Sequence, residues 1–415
     1  MRLLGSSGHD VTKRDHRILF TAFEPSGDDL GGAVIRVLRR RRPDIDIHAW
    51  GGASMEAAGA KIVERTGENA VMGLPGLGTI VSHVRQNGRI ARWMDAHKPT
   101  LHIAVDSPAA NFPICKAAKR RGVPVAHLAA PQLWAWAPWR IRKLRRLTNH
   151  VMCLLPFEEE WFRSRNVPAT FIGHPLFDRP LPTTPGLHDE QSVAGGSAPN
   201  SLRLAVMPGS RQKELSRHLP MLLTIIKSLR TTWPDLQVRF AVQDETANRR
   251  VRDLCARLGG LPDRASIVVG DDSVAMTAAW ADVALAKSGT VTLHITRQRC
   301  PMVVVYRTMT IGYLLIVRWL MTTEFRSMPN LIAGRRVVEE FVPHCGGPAP
   351  IERAVRDLLE SAEKRDAMRG ELDRIAKQFE AHSALDAAAK VILSLIDEDE
   401  PVQTSPPMAA AHSAT

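Results

Sequence analysis

Short runs of apolar, often β-branched residues recur along the chain, and their spacing constrains the fold more than any other feature of the sequence. Each run is continuous rather than alternating, and Gly, Pro or Asp residues bound it. Continuous apolar runs are typical of strands buried on both faces, as in a parallel sheet covered by helices. The runs lie at residues 16–23, 45–51, 100–105, 123–128, 150–155 and 170–172, and then at 202–207, 236–242, 265–269, 283–286 and 301–306.

The segments between these runs, such as residues 30–41 and 114–121, are long enough to form crossover helices. Strands that alternate with helices predict the α/β class with doubly wound parallel sheets. The chain has 415 residues, more than one hydrophobic core usually supports, so we expect two Rossmann-like domains with a cleft between them. The predicted division is an N-terminal domain at 16–178, a Pro-, Gly- and Ser-rich linker at 179–200, a C-terminal domain with closing helices at 201–397, and a disordered tail at 398–415.

Charge and composition narrow the classes of partner. The formal net charge of +12 favours anionic partners. Because the sequence has no RNP, helix-turn-helix or zinc-finger pattern, we expect no nucleic-acid partner. The five cysteines are widely spread and include no CxxC pair, which argues against a disulfide framework and a structural zinc site. Residues 1–17 lack a long apolar run, and residues 311–321 are too short to span a bilayer, so we expect neither a secretion signal nor a transmembrane helix.

The first strand–helix junction, residues 22–32, reads AFEPSGDDLGG. A turn of small residues at this place exposes backbone N–H groups at the positive end of a helix, which suits an anion or sugar hydroxyls. The candidate ligands are Ser26, Gly27 and Asp28. The alternative is a tight turn in which Ser26 or Asp28 caps the helix. Since neither GxGxxG nor GxxxxGK[ST] occurs, the sequence does not support a dinucleotide or P-loop site.

Asp106 directly follows the run at residues 100–105, within the sequence VDSP. A carboxylate at the carboxyl end of a parallel strand points into the cleft, where it could take a proton from a sugar hydroxyl. Asp106 is therefore the candidate general base. The alternative is that it caps the following helix.

Two small-residue loops follow strands of the second domain. Such loops let backbone approach phosphate oxygens, and an arginine adds a planar, two-pronged donor. Fixed positive charge there would stabilise a diphosphate leaving group as its bond to the sugar breaks. The alternative is a pair of ordinary turns, but two such loops favour a nucleotide-diphosphate site more than either does alone. The candidate residues are Gly209, Ser210, Arg211, Ser288, Gly289 and Thr290.

An aromatic segment beside a basic run suggests contact with a membrane. Tryptophan beside lysine and arginine suits an anionic bilayer surface or a sugar platform, whereas the alternative is tryptophan packed in a core. An apolar loop at residues 71–77 adds weaker support. The predicted membrane-facing residues are Leu74, Leu77, Trp134, Trp136, Trp139, Arg140, Arg142, Lys143, Arg145 and Arg146.

With these segments in this order, the chain resembles the lipid-A-disaccharide synthase family from about residue 16 to residue 396. The motifs that carry the resemblance are FEPSGDDLGG, AVMGLPGL, VDSP, PQLWAWAPWRIRKLRRL, CLLPFEEEWF, FIGHPL, VMPGSR, SGTVTL, CPMVVVYR and MPNLIAGR. The resemblance implies a GT-B fold and inverting transfer of 2,3-diacylglucosamine from UDP to 2,3-diacylglucosamine 1-phosphate. The implied products are a β-1,6-linked disaccharide and UDP. The resemblance also implies a cytoplasmic enzyme, peripheral on the inner face of the bacterial inner membrane, with no cofactor and no metal. It leaves a homodimer open.

The resemblance also assigns roles and exposes two departures. It makes Asp106 the catalytic base, Arg211 and Asn330 donor-side residues, and Ser26 to Asp28 the acceptor side. Ala109 stands where the family has a second Asp, and His294 stands where GT-B enzymes commonly use a Glu on the ribose hydroxyls. If the ribose lies at His294, a neutral imidazole offers one acceptor, and donor affinity should fall as pH drops through the His titration. The alternative is that His294 packs within its helix.

Three other functions stay open at this point. A GT-B enzyme could use another acylated or polyprenyl acceptor. A UDP-sugar 2-epimerase shares the two Rossmann-like domains, but it needs further acid–base carboxylates in the cleft and no lipid site. An inactive sugar-nucleotide binding protein is the third, because His294 replaces a donor ligand.

Overall fold

The computed structural model describes residues 16–66, 77–181, 201–209, 211–308 and 322–397. The first sheet has seven parallel strands in the order β3-β2-β1-β4-β5-β6-β7. Its strands are β1 (Arg17–Thr21), β2 (Asp46–Gly51), β3 (Lys61–Arg65), β4 (Leu101–Val105), β5 (Val125–Leu128), β6 (His150–Cys153) and β7 (Ala169–Phe171). The helices along it are α1 (Pro25–Arg41), α2 (Ala53–Ala57), α3 (Leu77–His97), α4 (Pro108–Arg120), α5 (Ile141–Leu147), α6 (Pro156–Arg163) and α7 (Pro175–Asp178).

The second sheet has six parallel strands in the order β10-β9-β8-β11-β12-β13. Its strands are β8 (Arg203–Met207), β9 (Gln237–Val242), β10 (Ala265–Val269), β11 (Val283–Lys287), β12 (Met302–Arg307) and β13 (Glu339–His344). The helices are α8 (Gln212–Thr232), α9 (Glu245–Arg257), α10 (Ser273–Trp280), α11 (Val291–Arg297), α12 (Met328–Ala333), α13 (Ala349–Glu360), α14 (Ala362–Glu380) and α15 (Ala384–Ile396). Two doubly wound parallel sheets confirm the predicted fold class.

Burial on both faces explains why the strand sequences are continuously apolar. In β1, Ile18 and Phe20 enter one hydrophobic core while Leu19 enters the core on the opposite face. In β8, Leu204 and Ala205 divide between two cores in the same way. Each fully buried Leu, Ile or Phe side chain stabilises the fold by about 1.5–3 kcal/mol through removal from water.

The strand order reverses direction once in each sheet, and each reversal creates a crevice at the carboxyl ends of the strands. In the first sheet, β1 pairs with β2 on one side and β4 on the other, with Thr21 beside Ala104. In the second, β8 lies between β9 and β11, with Met207 beside Ala286. The segments after β1, β4, β8 and β11 therefore hold the candidate site.

Helix α15 returns to the first domain. Ala388 and Ile392 lie in the same core as Ile35 of α1. The Asp178 carboxylate accepts hydrogen bonds from the backbone N–H groups of Ala384 and Leu385, both at 2.8 Å, and so holds the start of α15. The predicted division assigned α15 to the domain that it follows along the chain, whereas its packing joins it to the first. Residues 182–200 of the predicted linker and the tail at 398–415 lie outside the described residues.

The two domains also share an apolar contact. Trp134 and Leu155 of the first domain cluster with Leu293 and Phe379 of the second. Thr322 adds polar contacts, because its hydroxyl donates to the Trp134 carbonyl at 2.6 Å and its N–H to that of Ala135 at 3.2 Å. None of the helices in the described ranges combines the length and the hydropathy that crossing a bilayer requires.

Candidate active site

Asp106 and Ser107 follow β4 in a left-handed turn, with φ of 47° and 33°. This conformation is uncommon outside glycine and persists only where the surroundings hold it. Asn111 does so here, because its Nδ2 donates to the carbonyls of Val105 and Asp106, both at 3.0 Å. The N–H of Asp106 donates to the Leu128 carbonyl at 2.9 Å. The backbone that carries the candidate base is therefore fixed on both sides.

A directed chain of buried hydrogen bonds supports the same turn. Thr21, His102 and Asn111 are all fully buried. Since Asn111 uses its amide N–H groups on backbone carbonyls, its Oδ1 accepts the Thr21 hydroxyl hydrogen, at 2.6 Å. The hydroxyl has no second hydrogen, so His102 Nε2, 2.9 Å away, must donate to it. Burial, aided by nearby His127, lowers the pKa of His102 to about 3 and keeps it neutral.

The surroundings of Asp106 favour a base that titrates above the ordinary aspartate range. Burial raises the pKa of Asp106, the N–H of Ser107 opposes the shift, and the charge of Glu24 adds to it. Glu24 lies at the start of α1, and its Oε1 accepts the Ser107 hydroxyl hydrogen at 2.5 Å. A raised pKa brings a general base closer to neutral pH, where proton transfer is most effective. Sequence reasoning did not single out Glu24, although it stands directly before the Pro-Ser-Gly turn.

The three predicted ligands in the turn after β1, Ser26 to Asp28, lie in different surroundings. Ser26 is exposed, whereas Gly27 lies close to the sheet, where an added Cβ would stand 3.4 Å from that of Ala22. Neither Ser26 nor Asp28 caps α1, because its N-cap is Glu24 and no side chain bonds there. The Asp28 carboxylate instead accepts from the backbone N–H groups at the start of α2. Its donors are Gly52 at 2.7 Å, Ser54 at 2.8 Å and Met55 at 3.2 Å. Binding of the acceptor sugar by Asp28 stays a prediction. The hydrogen bonds that the structure describes for Asp28 hold α2 against α1.

The second crevice gathers cations around one carboxylate. Arg211 Nη1 lies 3.6 Å and Lys287 Nζ 3.0 Å from Oε1 of Glu214. Gly209 has a φ of 100° and Gly289 a φ of 150°, so both loops use backbone conformations that favour glycine. Such loops leave backbone N–H groups open to an anion.

Two of the remaining predicted loop residues, Ser288 and Thr290, follow Lys287 along the chain. Ser288 is partly buried and its N–H donates to the Val305 carbonyl at 2.8 Å, whereas Thr290 is exposed at the start of α11. Ser210 lies outside the described residues. Sequence reasoning missed Lys287 as a candidate and Glu214 altogether. A lysine that ends a buried strand, and a glutamate one helical turn after Arg211, were the available signals.

The surroundings of His294 affect its pKa. His294 is partly buried, and burial lowers its pKa, helped by Arg179 and Arg297 and opposed by Asp272. We therefore expect His294 to titrate below the ordinary histidine range, and the pH dependence of donor affinity stays a prediction.

Asn330 is fully buried, and its amide is committed to the protein. Its Oδ1 accepts from the N–H groups of Val337 at 2.6 Å and Val338 at 2.9 Å. Its Nδ2 donates to the Val338 carbonyl at 2.9 Å and to Glu340 Oε2 at 3.0 Å. Donor binding by Asn330 stays a prediction, and these bonds hold α12 against β13.

The aromatic and basic segment is only partly at the surface. Trp136 is 39% exposed and Trp139 is 60% exposed. The basic residues beside them are exposed except Arg140, which is half-buried; the set is Arg140, Arg142, Lys143, Arg145 and Arg146. The side chain of Leu77 and all of Leu74 lie outside the described residues.

Trp134 does not face a membrane, which corrects the sequence prediction for this residue. It is only 6% exposed and packs edge-on against Phe157, with ring centroids 4.8 Å apart. Its indole N–H donates to Oε1 of Glu158 at 2.9 Å. A buried acceptor for the indole and the apolar contact between the domains together explain why this tryptophan turns inward.

Comparison with known proteins shows which family this chain is similar to. The family model described as lipid-A-disaccharide synthetase matches residues 18–393. The lipid-A-disaccharide synthase of Solibacter usitatus is 32% identical over 94% of this chain and 100% of that protein. The protein of the same name from Myxococcus xanthus is 33% identical over 92% of this chain and 97% of its own.

Solved structures share the fold at low identity. The calicheamicin glycosyltransferase CalG4 has a TM-score of 0.57 at 17% identity, covering 94% of this chain and 100% of its own. The UDP-GlcNAc 2-epimerase of Neisseria meningitidis has a TM-score of 0.55 at 12% identity, covering 92% and 100%. Glycosyltransferases and epimerases alike have this GT-B architecture, so the fold alone does not distinguish the two reactions.

Proposed function

The chain belongs to the lipid-A-disaccharide synthase family, and we propose from this premise that it joins two acylated glucosamine units. The donor is UDP-2,3-diacylglucosamine and the acceptor is 2,3-diacylglucosamine 1-phosphate. The observation that carries the proposal is that the family match runs through both crevices. The Asp106 carboxylate, with its raised pKa, stands at the first of them, and the cations Arg211 and Lys287 stand at the second.

The reaction is a single displacement at the anomeric carbon. Asp106 takes the proton of the acceptor 6-hydroxyl as that oxygen attacks, so the new C–O bond forms while the bond from C1 to the diphosphate oxygen breaks. UDP leaves with the electron pair of the broken bond. One displacement inverts the anomeric centre and needs no nucleophilic side chain, because binding both sugars in line supplies most of the required geometry.

The acceptor lies at the first crevice in this scheme. The Ser26 hydroxyl is exposed beside the turn that carries Asp106, and Gly27 lets α1 start close to the sheet. Asp28 fixes that start through the N–H groups of α2. The acceptor role of this segment therefore rests on Ser26 and the adjoining backbone.

The donor lies at the second crevice. Its diphosphate is bound by the loops that contain Gly209, Ser210, Arg211, Ser288, Gly289 and Thr290. Charge builds on the diphosphate as UDP departs, and fixed donors stabilise that charge most in the transition state. His294 contacts the ribose through its one acceptor nitrogen, and Asn330 orders the segment before β13.

The enzyme would reach its lipid substrates at an anionic membrane surface, the cytoplasmic face of the bacterial inner membrane. Trp136 and Trp139 are exposed on the same segment as the basic residues of α5. Interfacial tryptophan and clustered basic residues together give reversible attachment. The mechanism uses residues of one chain, so a homodimer carries no step of it.

Mass spectrometry tests the proposal after incubation of the protein with both acylated substrates. We expect a tetra-acylated disaccharide phosphate and one UDP for each product. Conversion of the donor in the absence of acceptor would favour the epimerase alternative. Binding of UDP without any conversion would favour an inactive sugar-nucleotide binding protein.

A further inference from the structure

We propose that Lys287 binds the diphosphate of the nucleotide donor and that Glu214 positions its ammonium group for this contact. The inference rests on the proposed function, because it requires a nucleotide diphosphate at the second crevice. It adds a ligand residue and a positioning residue outside the predicted set.

The topology places Lys287 where a diphosphate would bind. Lys287 is the last residue of β11, and β11 lies beside β8 with Ala286 next to Met207. The loops that follow these two strands therefore leave the sheet at the same edge. A Cβ added to Gly209 would stand 3.7 Å from Lys287 Cδ, and one added to Gly289 would stand 3.7 Å from Lys287 Nζ. The side chain thus runs between the two glycine loops.

The charges around Lys287 leave one positive charge in excess. The Lys287 side chain is 18% exposed and that of Glu214 is 14% exposed, so solvent screens this pair less than it screens a surface pair. Arg211 approaches the same carboxylate but is 62% exposed. One carboxylate between two cations attracts an anion rather than neutralising the site, and the N-terminus of α8 adds to the attraction.

Contacts on its backbone hold Glu214 in place. Its carbonyl accepts from His218 Nδ1 at 2.8 Å, and His218 Nε2 accepts from the N–H of Arg307 at 3.0 Å. His218 therefore links the first turn of α8 to the end of β12. Because Glu214 is fixed in this way and engages one of the three N–H donors of the ammonium group, it orients the others.

A weak contact with the ribose at His294 makes the contact with the diphosphate more important for donor affinity. His294 offers at most one acceptor to the ribose hydroxyls, whereas a Glu at this position would offer two oxygens. A larger share of donor affinity must then come from the diphosphate. We expect UDP to bind much more tightly than uridine, and Lys287 to account for a large part of the difference.

Calorimetry with UDP and uridine tests this inference on the full chain. Lys287→Met should weaken UDP binding by about 10- to 100-fold and leave uridine binding unchanged, since a charge-assisted contact to phosphate is lost. Lys287→Arg, which keeps the charge, should retain most of the UDP affinity. Glu214→Asp, which keeps the negative charge but shortens the side chain and so misplaces the ammonium group, should weaken UDP selectively, but less than Lys287→Met. Lys364→Met serves as the control, since Lys364 is 59% exposed beside Asp357.

The outcomes separate this inference from the proposed function. Equal UDP affinity in the wild type and in Lys287→Met would overturn the inference alone. Equal losses for UDP and uridine would also overturn it, because they indicate a structural role. If Lys287→Met does not fold, selective loss of UDP binding in Glu214→Asp supports the inference and its absence overturns it. Failure of the wild type to bind UDP would contradict the proposed donor, and this contact with it.

Discussion

Asp106 takes its position and its acidity from different neighbours. Asn111 holds the carbonyl side of its turn, and Thr21 and His102 hold Asn111. Burial sets most of the pKa shift, and Glu24 adds the effect of a like charge. Single substitutions can therefore change the position of Asp106 and the pKa of its carboxyl group separately.

Asp106→Asn should leave the fold and UDP affinity intact and lower kcat by about 10²–10⁴-fold, the usual contribution of a general base. The asparagine keeps the shape but cannot take the proton. Steady-state kinetics with both acylated substrates measure the effect. Asp95→Asn is the matched control, because Asp95 is exposed and paired with Arg121. Near-normal turnover by Asp106→Asn would remove this residue from the mechanism.

Glu24→Gln should move the acid limb of the kcat/KM profile to lower pH. The base must be ionised, so activity falls as pH drops through the pKa of Asp106. The Glu24 charge raises that pKa, and its removal lowers it. We expect a small shift, because Glu24 is exposed and solvent screens it. The glutamine oxygen can still accept the Ser107 hydroxyl, so the turn is kept; an unmoved limb, or one at higher pH, contradicts the assignment.

The sequence predicted Asp106 as a site residue, but it did not predict the side-chain pairs at the two crevices. A carboxylate directly after a buried apolar run can be recognised from the sequence. The pairing of Ser107 with Glu24 spans 83 positions and arises only when β1 and β4 lie side by side. The pairing of Lys287 with Glu214 likewise needs β8 beside β11. Such contacts depend on strand order, which no local pattern contains.

At the scale of elements, the continuous apolar runs predicted every strand except one edge strand of each sheet, β3 in the first and β13 in the second. Strand β3 alternates between exposed and half-buried residues, and β13 is half-exposed along its length. These two edge strands are partly exposed to solvent, so they lack the uninterrupted apolar run that marks a strand buried on both faces. Helix α2 was also missed, because Asp28 caps it from another helix.

Helix α11 carries the second departure from the family, and the environment of His294 sets its pH window. UDP affinity should fall only at a pH below the ordinary titration range of histidine, since burial and two nearby arginines lower the pKa of His294. His294→Glu should bind UDP about tenfold more tightly at pH 8, because it offers two acceptor oxygens. Calorimetry at pH 8, 6.5 and 5 measures both effects. The gain should shrink with 2′-deoxy-UDP, and no change with either ligand would show that position 294 does not contact the ribose.

Helix α5 and the turn before it should mediate membrane attachment. Replacing both Trp136 and Trp139 by Ser should weaken binding to anionic vesicles by about tenfold or more, because large apolar side chains no longer insert. Binding should also weaken as salt rises, since each basic residue near the surface contributes about 1 kcal/mol. Leu258→Ser, which alters an exposed apolar residue of the other domain, is the control. Equal partitioning of the wild type onto neutral and anionic vesicles at low salt would contradict this role.

At the scale of the whole molecule, the chain crosses between its domains more than once. Helix α15 returns to the first core, and Trp134 and Phe379 belong to one apolar cluster that joins the domains. The sequence predicted two domains because the pattern restarts after residue 200. It could not predict the return, because the contacts of α15 with α1 join residues that are far apart along the chain.

The fold is shared by glycosyltransferases and epimerases, so the account depends on the bond that the enzyme makes. NMR of the purified product tests it most directly, through the anomeric configuration and the linkage position of the new glycosidic bond. The account predicts a β configuration at the transferred glucosamine and attachment to the 6-oxygen of the acceptor. An α configuration would contradict single displacement with Asp106 as base, and a 2-epimerised donor without a new glycosidic bond would contradict the proposed function itself.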